Sequence, residues 1–110
     1  MRHRVIITDP ADSNFRDHFQ WIRELSPQGA EAWRTRMIEA VSSLEIEPER
    51  HPLARESTAF PVEIRCLLSG KNRSAFRILY QIKGDEVRVL AIRRPSQDFM
   101  EPEDESGPPQ

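Results

Sequence analysis

A single cysteine, Cys66, in 110 residues excludes an intramolecular disulfide framework. Cys66 lies inside an alternating apolar segment and reads as a small buried residue rather than a nucleophile. Histidine is scarce as well: His3, His18 and His51 have neither the spacing nor the acidic or thiol company of a ligand set. The sequence therefore calls for no metal and no cofactor. No apolar run approaches the roughly 20 residues of a membrane span, and the N-terminus has no signal-peptide core. A soluble cytoplasmic protein without a membrane partner is the expectation.

Basic residues are absent from the last ten positions. Residues 101–110, EPEDESGPPQ, hold four acids, three prolines, one glycine and no apolar anchor, a composition that predicts disorder. Such an end either solvates the terminus or folds back over a basic patch and competes with its ligand. The remaining length suits one domain, residues 1–100, with a core that needs no disulfide or structural metal.

What is abundant is charge, and it is segregated. The net charge of −2 conceals a balance of +5 within residues 63–94, EIRCLLSGKNRSAFRILYQIKGDEVRVLAIRR, where eight basic residues face three acids. Arg65, Arg77 and Arg93 each sit in an otherwise apolar, strand-like segment. Because strands alternate their side chains between faces, guanidinium groups from neighbouring strands can converge on one patch. A patch of that kind suits an anion, either RNA phosphates or a carboxylate-rich protein segment. Alternatively, the three arginines are outward-facing strand residues or partners of Glu63, Asp85 and Glu86.

Arg4 to Thr8 is a β-branched run that predicts a buried strand. Asp9-Pro10 predicts a helix start with Asp9 as N-cap, followed by Phe15, Phe19, Ile22 and Leu25 at helical spacing. Ser26-Pro27 opens a second helix with Ala30, Trp33, Met37, Ala40 or Val41, and Leu44 on one face, ended by Pro48. Trp21 and Trp33 read as core or helix-seam residues, not as a stacking platform. Residues 49–61 predict a connecting loop. Three strands follow, with Val62, Ile64, Cys66 and Leu68, then Phe76, Ile78, Tyr80 and Ile82, then Val87, Val89 and Ala91 on their inner faces. The turns are basic at Ser69-Gly70-Lys71-Asn72 and tight at Lys83-Gly84-Asp85-Glu86. The order β-α-α-β-β-β predicts an α+β fold, a helical hairpin packed on a mainly antiparallel four-stranded sheet.

That order, together with SPQGAEAW, PERHPLA, EIRCLLSGKNRSAFRILYQI and GDEVRVLAIRR, resembles the RelE/ParE superfamily of type II toxin–antitoxin toxins over about residues 3–99. The resemblance implies a growth inhibitor held inactive by a cognate antitoxin, part of which folds on binding and covers the basic site. It also implies one of two targets. RelE-like members cleave mRNA on the ribosome without a metal, whereas ParE-like members inhibit DNA gyrase. A third possibility is a degenerate toxin that only binds antitoxin.

For cleavage, the ribose 2′-hydroxyl attacks its own phosphate, so a proton must be removed and an extra phosphate charge neutralised. By resemblance, Arg65, Arg77 and Arg93 take the basic catalytic positions, and arginine is well shaped to clamp phosphate. Leu67 stands where a second lysine is common, and Lys71 or Arg73 from the turn can substitute for it. Phe99 stands where a catalytic tyrosine is expected and has no hydroxyl. Lys71, Arg73, Arg94 and Phe99 are the candidate RNA- or partner-binding residues. His51 is an alternative proton carrier; Tyr80 is an alternative hydroxyl, although its alternation places it in the core.

Overall fold

The computed structural model describes residues 2–71 and 75–95. Arg73, Phe99 and the acidic end 101–110 lie outside the described residues. In chain order the elements are β1 (Arg4–Ile7), α1 (Asp9–Leu25), α2 (Pro27–Ser42), β2 (Arg65–Ser69), β3 (Phe76–Lys83) and β4 (Glu86–Arg93). The sheet order is β1-β4-β3-β2, with β1 parallel to β4 and the other pairs antiparallel. This is the expected α+β architecture. Among the described residues no helix is long and apolar enough to cross a membrane.

α1 begins one residue earlier than the sequence predicts. Asp9 is the first helical residue and Thr8 the N-cap, without a side-chain cap bond, because the Thr8 hydroxyl instead donates to the Val89 carbonyl at 2.7 Å. Asp9 and Asp12 lie in the first turn, where the helix dipole favours carboxylates. Ser26 caps α2 as expected, its hydroxyl accepting from the Gly29 amide at 3.0 Å. α2 ends at Ser42, well before Pro48, and continues as a 3₁₀ turn over Ser43–Glu45.

One face of the sheet packs on the helices. Phe76, Ile78, Tyr80, Val87, Val89 and Ile92 meet Ala11, Trp33, Met37 and Leu44 there. Leu25, expected on the buried stripe, is 72% exposed at the end of α1. Trp33 is 3% exposed and fulfils the core reading, whereas Trp21 is 46% exposed. The β2 segment also starts later than the alternation implies, at Arg65, and leaves Val62 and Leu68 exposed.

The other face has a smaller core of its own. The 49–61 segment is not a plain connector. It contains 3₁₀ turns over Pro48–Arg50 and Arg55–Ala59, and it supplies Ala54 and Phe60, which pack with Ile64, Cys66, Leu79 and Ala91. Leu79, which simple alternation turns outward with Arg77 and Gln81, is therefore fully buried.

A bulge decides which face the end of β4 presents. Tyr80 pairs with Val89 but Leu79 pairs with Ala91, so Leu90 is an extra residue on β4 and the alternation inverts beyond it. Ala91 consequently leaves the Val87–Val89 face, and Ile92 takes its place against the helices. β1 pairs with β4 only as far as Val89. Past that point α1 satisfies the backbone: Asn14 Oδ1 accepts from the Ile92 amide at 3.0 Å, and His18 Nε2 bonds the Ile92 carbonyl at 2.8 Å.

Candidate functional site

The register separates the three arginines. Arg77 lies directly opposite Arg93 across β3 and β4, on the face away from the helices. Arg65 lies opposite Tyr80 and so belongs to the helical face. The expected convergence of all three on one patch is corrected here: paired residues of neighbouring strands share a face while successive residues of one strand alternate, so Arg65, paired with Tyr80, faces away from Arg77, and only the β4 bulge brings Arg93 to the side of Arg77.

Arg77 is held by a residue that no sequence motif marks. Glu56, in the 3₁₀ turn over Arg55–Ala59, is fully buried and receives two bonds from the Arg77 guanidinium, at 2.6 and 2.5 Å. The Arg77 side chain is itself 14% exposed. The hydrogen bonds to Glu56 raise the Arg77 pKa above its ordinary value, so the guanidinium stays charged. Arg77 also neighbours Cys66, whose thiol burial pushes up while the Arg77 charge pulls it down; Cys66 is half-buried and part of the rear core. Arg77 thus has an ion-pair partner, but it is Glu56 and none of Glu63, Asp85 or Glu86. Glu86 instead pairs with Arg4 and Arg88.

Arg65 serves the loop. Its Nη1 donates to the carbonyls of Glu49 at 3.2 Å and His51 at 2.7 Å. Beside it the Tyr80 hydroxyl donates to the Pro48 carbonyl at 2.6 Å, and burial pushes its pKa up to about 12. The His51 ring stands edge-on to Tyr80 with centroids 6.3 Å apart, and burial, with the Arg50 charge, holds its pKa below the usual imidazole value. Together these groups pin residues 48–51 against the sheet. Tyr80 occupies the core, as its alternation indicates.

Lys71 and Arg94 meet elsewhere. They line a cavity of about 940 Å³ together with Trp21, Ile22, Trp33, Arg36, Phe76 and Pro95, between the helical hairpin and the far ends of β2 and β4. The Arg94 guanidinium lies 5.5 Å from the Trp21 ring centroid, a cation–π distance. The Trp33 indole Nε1 is buried without a hydrogen-bond partner among the described residues.

A family model for the ParE toxin of type II toxin-antitoxin system, parDE, matches residues 5–99. The chain belongs to the ParE toxin family. Its fold is similar to a solved chain from the chromosomal ParDE TA system from P. aeruginosa, with a TM-score of 0.68 and 21% identity, covering 84% of this chain and 96% of that one. A search of curated proteins found no match. As a ParE-family toxin the chain has an antitoxin as its partner, and the RelE/ParE resemblance is confirmed at family level.

Glu56 and the cavity are the features that sequence reasoning missed. In the sequence Glu56 is one of several acids between Glu45 and Glu63, with no spacing to distinguish it. The cavity has one visible signal, the exposed position of Trp21 on a helix whose apolar stripe runs through Phe15, Phe19 and Ile22.

Proposed function

We propose that this ParE-family toxin inhibits growth by binding a protein of the replication machinery, DNA gyrase being the target that the resemblance gives for ParE-like members, and that it does not cleave mRNA. The observation that carries this reading is the bidentate bond of Arg77 to buried Glu56. A phosphate clamp needs guanidinium donors directed at the scissile phosphate, and both Arg77 Nη groups are directed at a carboxylate of the protein itself. Two further features support it. Arg65 lies on the opposite face of the sheet from Arg77 and Arg93, and the hydroxyl of Tyr80 is committed to the Pro48 carbonyl. A base or acid with a pKa near 12 is also poorly matched to proton transfer at neutral pH.

In this reading residues 1–100 act as one domain in the cytoplasm, and the antitoxin blocks the surface that meets the target. The test is induced expression of the chain alone in a bacterial host, with primer extension on cellular mRNA and a DNA-damage reporter in the same culture. Reporter activation with intact mRNA is the expected result. Cuts in translated mRNA would overturn the reading, and undisturbed growth would point to a degenerate toxin that only binds antitoxin.

A further inference from the structure

The cavity beside Trp21 and Trp33 plays no part in the function proposed above, yet it is built as a binding site. Its floor is apolar, formed by Ile22, Phe76 and the two tryptophans, and its rim carries Arg36, Lys71 and Arg94. A fitting occupant therefore has apolar side chains and negative charge.

The chain itself supplies such a segment at the right place. Pro95 lines the cavity, and from it the sequence continues Ser-Gln-Asp-Phe-Met-Glu-Pro-Glu-Asp-Glu. Phe99 is four residues beyond Pro95, about 14 Å at full extension, and the four acids from Glu101 to Glu105 follow immediately. Those acids lie past the end of the family match at residue 99. We infer that the groove is the docking site of the chain's own residues 99–105, which seat Phe99 and Met100 on the apolar floor and set Glu101, Glu103, Asp104 and Glu105 against Arg36, Lys71 and Arg94. The segment shields the groove from other acidic, apolar chains, which reach it only by displacing the tether. Docking does not depend on the toxin reading, so either can fail without the other.

Because the chain has only two tryptophans and both line the groove, their signals report its occupancy. The experiment compares the full chain with a full-length variant carrying Phe99→Ala, Glu101→Gln, Glu103→Gln, Asp104→Asn and Glu105→Gln. In the variant the Trp33 indole N–H cross-peak is expected to shift and acrylamide quenching of tryptophan emission to increase. A synthetic peptide of residues 96–110 added to the variant is expected to reverse both changes saturably, with a Kd below about 1 mM, the effective concentration of a short tether. Identical spectra and quenching in the two proteins would overturn the proposal and leave the groove to a separate partner. So would a peptide titration that does not saturate. A difference that grows with protein concentration would assign the occupant to a second copy of the chain and overturn docking within one molecule.

Discussion

Replacing Arg77 with alanine should destabilise the fold severely, because it removes two charge-assisted bonds from the Glu56 carboxylate, which is fully buried. Breaking a buried pair by removing one member costs about 3–5 kcal/mol, since the remaining charge keeps its desolvation penalty without its partner. Removing both members is far milder, because apolar groups of similar volume avoid that penalty altogether. The comparison therefore needs four proteins: the parent, Arg77→Ala, Glu56→Gln, and the double variant Glu56→Gln/Arg77→Met. Urea unfolding followed by tryptophan emission is a suitable assay. With a slope of about 1–3 kcal/mol/M, the Arg77→Ala midpoint should fall by at least about 1 M, and the double variant should recover most of that loss. A loss below about 1 kcal/mol for Arg77→Ala would refute the reasoning. It would mean that the pair behaves as an exposed surface contact, leaving Arg77 available for a phosphate.

Other expectations follow from the same structure. The chain's one tyrosine, Tyr80, should show no phenolate absorbance until the pH approaches about 12; because the unfolded chain ionises nearer pH 10, this group's share of the stability is lost as pH rises from about 10 to about 12. Tyr80→Phe leaves the Pro48 carbonyl without its donor and should cost about 1–3 kcal/mol in urea unfolding. Burial lowers the pKa of His18, with Arg94 and Arg93 adding to it against the bond to the Ile92 carbonyl. Below pH 6.5 the unfolded chain therefore protonates first and stability should fall, with His18→Gln flattening part of that slope in unfolding curves measured against pH. Leu79→Ala, on the face away from the helices, should cost about 2–5 kcal/mol by thermal unfolding, as for a core residue; a surface-like cost would contradict the second core beneath residues 54–64.

The element order was legible because each signal is local. Pro10, the Ser26 cap, the spacing of Trp33 and Met37, and the Gly84 turn each act within a few residues, and the structure places helices and strands accordingly. The site was less legible because it depends on register. Period-two reading from Val87 and Val89 assigns Arg93 to the helical face, and only the extra residue Leu90 turns it toward Arg77. The same reading turns Leu79 outward because nothing in β3 announces that residues 54–64 fold over the back of the sheet. Glu56 finds Arg77 across 21 residues of chain, a tertiary pairing that no motif spacing encodes. The likeness to RelE/ParE toxins located the basic positions by analogy, while the geometry shows Arg65 and Arg77 held by groups of the protein itself.

The central claim is that this toxin acts by occupying a protein target and not by cutting RNA. It is tested most directly by adding the purified chain to two reactions, translating ribosomes with a defined mRNA and DNA gyrase with relaxed plasmid. The account predicts intact mRNA together with loss of supercoiling. Ribosome-dependent cuts in the mRNA, with supercoiling unaffected, would contradict it.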